Sequence, residues 1–251
     1  VVMYMSRSSA VAAAAWRLLA ASLFVAEIGP ATATPRGACK EAPSMIDPWV
    51  KANFDISLME GTFYELAYHD YTQPRPMCGC ERSVKSVNAD AHPPTISDYF
   101  SIQCFGKDYP ITLHFNETEP AMLNGSCGFF APFGTRVCPD YVIDVGTRTH
   151  GEPYPWVLEF QCVEHTDGSL MFAGINFYSK EKSNKTLTEM LKVAEDHGLH
   201  KFIEGGWPSG LKVVNHSNCT YPEPPAVEKL KAVAPPGLGA AATAALADVL
   251  L

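Results

Sequence analysis

The chain has 251 residues, 47% of them hydrophobic, and carries 27 acidic against 19 basic side chains, a formal net charge of −8. That length can bury a sizeable core in one large domain. An acidic chain with no block of Lys or Arg offers neither the clustered positive charge that a nucleic acid needs nor a polybasic membrane patch.

Residues 1–34 read as a secretory signal peptide. From Met5 the order is Arg7, an Ala/Leu-rich run to Ile28, then Ala31-Thr32-Ala33, a small-residue cleavage pattern. Arg17 cuts the uninterrupted apolar stretch to about eleven residues, too short to cross a bilayer, so the mature chain is expected to have no transmembrane span. Residues 35–52 are punctuated by proline and hold Cys39, which suggests a lead-in tied down by a bridge. In all there are eight cysteines, Cys39, Cys78, Cys80, Cys104, Cys127, Cys138, Cys162 and Cys219. Behind a signal peptide an even count reads as up to four disulfides. Cys78-Gly79-Cys80 belongs to that set rather than to a metal or redox pair. Asn-X-Ser/Thr sequons at Asn116, Asn124, Asn184 and Asn215 mark a glycoprotein; a fifth, at Asn218, has Cys219 in its middle position.

Residues 53–221 carry the main domain. A short apolar lead-in (Phe54, Ile56, Leu58) turns at Gly61 and gives way to strict alternation. Phe63, Glu65 and Ala67 fall on one face, and Thr62, Tyr64, Leu66 and Tyr68 on the other, the pattern of a half-buried strand. Gln73 to Cys80 is a loop, since its two prolines cannot donate to a ladder. Strands are then expected over 80–88, 95–105, 109–116, 121–130, 140–145, 156–162 and 170–179, separated by Gly-, Pro- and Asp-rich turns. With the first strand they number eight, a set whose closed antiparallel barrel is just wide enough for one small ligand. Ile111, Leu113 and Phe115 share a face opposite Thr112 and His114. Asp98 interrupts the otherwise apolar set Ile96, Phe100, Ile102 and Cys104, so the alternation leaves open which face points inward.

The period then changes. Leu187, Met190, Leu191 and Ala194 form one helical stripe, Thr186 with Glu189 forms a capping box, and Gly198 stands at the C-terminal end. This helix is expected to pack outside the barrel. Residues 204–219 are a loop with a short added strand at 211–214 and Trp207 packed on the wall. Residues 222–251 form a Pro/Ala-rich tail in which a lipid-anchor signal is conceivable, although Asp248 interrupts its apolar end.

Several residues could carry chemistry. Asp140 and Asp144, four apart in one strand, are expected to share a face, and a carboxyl desolvated in an apolar barrel can deliver a proton. His114, Tyr141, Tyr68 and Phe115 are candidates for ligand contact, Tyr178 for ordering a polar end. The histidines show no zinc-ligand spacing, and 205–210 lacks the G-x-S-x-G order of a nucleophile elbow. No metal or cofactor is indicated.

Gly61-Thr62-Phe63-Tyr64-Glu65, Pro139-Asp140-Tyr141 and Lys180 after Phe177-Tyr178-Ser179 resemble, in order, the three signatures of the lipocalin family, with Phe63 and Lys180 in place of the family's Trp and Arg. The resemblance spans about residues 50–220. It implies a mainly β, eight-stranded up-and-down barrel with one C-terminal helix outside, closed at one end by Gly61, Phe63 and Lys180. It also implies carriage of a small hydrophobic ligand, such as a carotenoid, retinoid, sterol or fatty acid. Within the family, Lys201-Phe202-Ile203 and the run from Cys219 to Leu230 are similar to the end of the lipocalin domain of violaxanthin de-epoxidase. That likeness implies a Cys80–Cys219 bridge, with Cys78 the competing partner. It also implies an enzyme that reduces xanthophyll epoxides with ascorbate as co-substrate, its catalytic aspartate at Asp140. The position of that enzyme's catalytic tyrosine falls near Phe160 or Gln161. A third reading is an interaction protein whose barrel is plugged by its own side chains. The expected location is secreted or in the lumen of the secretory pathway, or in a plastid lumen if the source is algal.

Overall fold

The computed structural model describes residues 37–70, 73, 78–126, 137–203 and 206–224. The expected signal peptide, Cys127, most of the loop after the first strand and nearly all of the tail, with its conceivable lipid anchor, lie outside the described residues.

Eight strands carry the fold: β1 (Gly61–His69), β2 (Cys78–Asn88), β3 (Thr95–Cys104), β4 (Lys107–Glu119), β5 (Met122–Ser126), β6 (Val137–Val145), β7 (Trp156–Glu164) and β8 (Leu170–Ser179). Each pairs antiparallel with the next, and β1 pairs with both β8 and β2, so the sheet closes on itself. This is the expected eight-stranded up-and-down barrel. Sequential hairpins satisfy every strand edge locally and leave no long crossover to thread.

One end is sealed by the chain that leads into β1. Asp47 caps a short helix, α2 (Pro48–Asn53), which follows α1 (Ala42–Met45); its carboxylate accepts from the Trp49 and Val50 N–H groups. Within the apolar lead-in, Ile56–Met59 forms a 3-10 turn, capped by the Asp55 carboxylate, which accepts from the Ser57 N–H. The turn buries Ile56 and Met59. It is held by Tyr154, whose N–H donates to the Leu58 carbonyl and whose hydroxyl accepts from the Asp55 N–H. Farther back, a Cys39–Cys162 disulfide ties the lead-in to β7. Cys78–Cys104 joins β2 to β3, Cys80 pairs with Cys219, and Cys138 is also disulfide-bonded.

Helix α3 (Asn184–Asp196) buries Leu187, Met190 and Ala194. Its start differs from expectation. Ser183, rather than a Thr186–Glu189 box, is the cap, accepting from the Thr186 N–H at 3.3 Å. The chain leaving β8 therefore becomes helical three residues earlier, nearly a full turn. Gly198 adopts φ 80° after the helix, a left-handed conformation that suits glycine.

The wall has one unusual joint. β1 pairs with β2 only over Gly61 to Tyr64, after which the two strands part. A late strand, β9 (Lys212–Val213), enters there and pairs with Ala67 and Tyr68 of β1. Beyond it the Val214 N–H donates to the Leu66 carbonyl and the Cys80 N–H of β2 donates to the Asn215 carbonyl. A Cβ at Gly79 would lie 2.9 Å from that Asn215 oxygen, so glycine lets the inserted segment approach β2. The segment thus acts as a ninth stave in the gap, riveted by Cys80–Cys219.

Cutting the rivet should loosen the stave and spare the rest. We expect Cys219→Ser to lower global stability by about 2–5 kcal/mol. Amide exchange should quicken at Val214 and Cys80, while the β3–β4 ladder, which this segment does not touch, should keep its protection. Uniform acceleration across all strands would contradict the stave description.

Candidate functional site

A single contact decides which face of each strand is interior. The Lys85 ammonium on β2 lies 2.8 Å from Asp98 on neighbouring β3 and 3.1 Å from Glu159 on β7. Strands β2 and β7 are separated around the wall by β8 and β1. Their side chains can meet only through the barrel. Lys85, Asp98 and Glu159 therefore point inward, and register carries the assignment around the sheet. Asp98, the residue that spoiled the apolar face of β3, is a partner of Lys85 with its other oxygen accepting from the Ser83 hydroxyl at 2.7 Å.

The interior is divided. Along β3 to β5 it is apolar, with Ile96, Phe100, Ile111, Leu113, Phe115 and Leu123. Phe115 lies across Gly125, where any Cβ would sit 2.7 Å from its ring. Opposite, β1, β2 and β6 to β8 contribute Glu65, Lys85, Asp140, Glu159, Asn176 and Tyr178, each under 9% exposed. The inward residues Tyr109, Ile111 and Leu113 of β4 stay half-buried.

Burial and crowding set the charge states. Desolvation holds the Asp140 carboxyl well above the usual carboxylate range, and Glu159 beside it pushes the same way. Glu65 is raised well above its ordinary value by burial and by Glu81. Burial lifts Glu81 to about 8 against the pull of Lys212. Burial alone would lower Lys85, but Asp98 and Glu159 outweigh it and raise its pKa. The ammonium also sits 4.8 Å over the Tyr178 ring, and burial drives that phenol well above its ordinary value.

Of the residues singled out from the sequence, the structure brings Asp140, Tyr68, Phe115 and Tyr178 to the inner face. Gln161, opposite Asp140 in register, hydrogen-bonds its carboxyl. Tyr68 arrives there by a β-bulge between Glu65 and Ala67, which corrects the expected alternation: Ala67 faces outward and Tyr68 inward, opposite Asn176. A second bulge, between Val142 and Asp144, separates the two aspartates that were expected to share a face. Asp144 is turned outward, where it meets Arg148 at 3.2 Å and His197 at 3.4 Å.

Two expected ligand contacts are corrected. His114 pairs with Ser97 on the outer face, its Nδ1 3.0 Å from the Ser97 hydroxyl. Tyr141 is also outside, against Phe160, whose ring stacks at 4.8 Å on Phe202 from the covering segment. At the sealed end Gly61 adopts φ 120° and Phe63 is fully buried. The Lys180 ammonium lies 5.1 Å over the Phe63 ring and donates to the Glu60 carbonyl. Among the sequons, Asn116 is exposed and faces half-buried Asn124 across β4 and β5. Asn184 and Asn215 are exposed on the rim of a cleft of about 350 Å³ beside β9.

The residues missed from sequence are Lys85, Glu159 and Glu81. Lys85 and Glu159 are flanked at i±2 by uncharged side chains, Ser83 and Val87 for one and Val157 and Gln161 for the other, the only signal that they face a core. On the outside, Asp47, Asp144 and His197 bring one ligand atom each within 4.8 Å of one another. Arg148 already supplies a cation there, bridging Asp47 and Asp144, and it holds the Asp47 carboxyl below its ordinary range.

No family model matches the chain and no curated protein matches it. Among solved structures, similar folds include apocrustacyanin C1, at TM-score 0.47 and 10% identity over 74% of this chain and 89% of that one. Insecticyanin from the tobacco hornworm Manduca sexta aligns at 0.45 and 15% identity, covering 66% and 82%. The siderocalin Ex-FABP, described as functioning through dual ligand specificities, aligns at 0.43 and 10%, covering 62% and 93%.

The buried acids make stability depend on pH in a definite direction. Glu65, Glu81, Asp140 and Glu159 all titrate above their ordinary values, so above about pH 4.5 the folded chain holds more protons than the unfolded one. Stability then falls as pH rises toward about 8. His197, raised by Asp144, adds to the fall, while His114 and His216, lowered by burial, oppose it just below their ordinary value. With four carboxyls outweighing two imidazoles, we expect the unfolding temperature to be higher near pH 5 than near pH 8. Lys85→Met should cost about 3–5 kcal/mol at pH 7.5, because it strands Asp98 and Glu159 unpaired. The cost should shrink at pH 4.5, where Glu159, raised by burial, can take a proton. An equal cost at both pH values would show that the ammonium is not balancing charge.

Proposed function

We propose that the barrel binds a small amphiphilic molecule, its apolar body against the β3–β5 wall and its polar end among the groups opposite. The observation that carries this reading is a set of orphaned acceptors. Glu65 Oε2, Asp140 Oδ1 and Asn176 Oδ1 are buried without a hydrogen-bond partner. Folded proteins satisfy nearly all such atoms, and each exception calls for a partner. A barrel plugged for stability alone would be filled with apolar side chains and leave none. Burying an apolar body at roughly 25 cal/mol per Å² supplies affinity, and the polar wall orients the ligand. The disulfides fit an oxidising compartment, consistent with a secreted or lumenal carrier.

The second reading, an epoxide-opening enzyme of the de-epoxidase kind, is favoured by one observation. Asp140 is an inward-facing carboxyl whose pKa burial raises, as suits a general acid. Ascorbate would be its reductant. Tyr178 is the inward phenol nearest in kind to the missing tyrosine, but it is committed to Lys85 and Asn176.

Two measurements test these readings. The purified mature chain should bind the neutral probe N-phenyl-1-naphthylamine saturably at one site, and Leu113→Trp, which fills the half-open wall, should weaken it at least tenfold without lowering the unfolding temperature. No saturable binding, together with no co-purifying small molecule in native mass spectrometry, would favour the plugged barrel. For the enzyme, turnover of violaxanthin with ascorbate and galactolipid near pH 5 that disappears in Asp140→Asn would replace carriage by catalysis.

A further inference from the structure

The acids of the interior are more numerous than the contacts among them require. Glu65, Glu81, Asp98, Asp140 and Glu159 are all at most 4% exposed. Among the described residues, the cations facing them are Lys85 and half-buried Lys212, which lies opposite inward-facing Tyr68 and draws on Glu81. Arg82 is turned outward, its guanidinium over the Tyr221 ring and donating to the Pro222 carbonyl. The Lys85 ammonium is occupied by Asp98 and Glu159.

Among the described residues, that leaves the β1–β2 side of the cluster short of cations. Glu65 Oε1 accepts from Gln73 Nε2 at 3.3 Å, but its Oε2 has no partner. Glu81 is fully buried with both carboxyl oxygens unpartnered. Asp140 Oδ1 and Asn176 Oδ1 are likewise buried without a partner. These two glutamates are on the strands that part above Tyr64, and the Cys80 bulge beside them turns Glu81 inward while Arg82 stays outside.

We propose that the polar end of the bound molecule is an organic cation, an alkylammonium or guanidinium head carried on an apolar body. The inference rests on the amphiphile reading above and narrows it. A hydroxyl offers one donor, whereas an ammonium offers three and a guanidinium five, and the positive charge lets Glu65 and Glu81, whose pKa values burial raises, ionise against it. A fatty-acid carboxylate would meet a group of acids whose described buried ammonium, Lys85, is already taken by Asp98 and Glu159, so the fatty acids among the expected ligands are disfavoured.

The test uses three ten-carbon ligands that differ only in the head group, displacing N-phenyl-1-naphthylamine from the full mature chain at pH 7.5. Decylamine should displace the probe at a concentration at least tenfold lower than decanol, and decanoate should be the weakest. If decanol matches decylamine, or decanoate is the tightest, the cationic head is wrong while the amphiphile reading survives. If the probe itself does not bind, both fall. Glu65→Gln with Glu81→Gln keeps the shape but removes the ability to ionise; it should bring decylamine within threefold of decanol. A variant that keeps the full tenfold preference would show that these carboxyls do not hold the head. Should the variant not fold, the head-group comparison on the unaltered chain still decides.

Discussion

Everything inside this barrel is arranged around the Lys85 ammonium. It joins Asp98 and Glu159 across the interior, linking β2 and β3 to β7 on the far wall. Such a triad is a poor way to gain stability, since desolvating three charges costs about as much as their attraction returns, and apolar side chains of equal volume would often do better. Its effect is geometric. The ion pair locks the inward faces of three strands, and a one-residue slip in any of them would turn a charge outward and strand its partners.

Three irregularities then choose what else faces in. Bulges at Glu65/Ala67, Gly79/Arg82 and Val142/Asp144 each insert a residue and reverse the alternation beyond it. The first brings Tyr68 inside and the second sets Glu81 against Arg82. The third sends Asp144 out to Arg148 and His197, leaving Asp140 within. Without them, the polar half of the interior would lack Glu81 and the outer anchor of the lead-in would lack Asp144. The same parting of β1 from β2 that places Glu65 and Glu81 also makes room for the β9 stave, so the most acid-rich part of the interior is also where the wall is made of the latest chain.

The strands were legible because period-two alternation is local, and so was the helix, whose stripe of Leu187, Met190 and Ala194 is repeated every turn. The apolar half of the site was partly legible too: Phe115 belongs to an unbroken alternating face. Asp140 could be suspected from its motif, but His114 and Tyr141 were misplaced because alternation says which residues share a face and not which face is inside. Lys85 and Glu159 were missed because a charge in a half-buried strand ordinarily marks the solvent side, and their partner lies more than 70 positions away along the chain.

From its sequence alone this protein can be recognised as a set of eight short antiparallel strands, a capped helix and an even complement of cysteines, because each of those follows from the preferences of neighbouring residues. Only the closed tertiary structure determined that the barrel has a charged interior, that Asp140 is inside while Asp144 is not, and that residues 212–215 complete the wall. Those outcomes depend on bulges and on pairings between distant strands, where a single inserted residue reverses a face and the energies that select it are felt only once the far wall is in place.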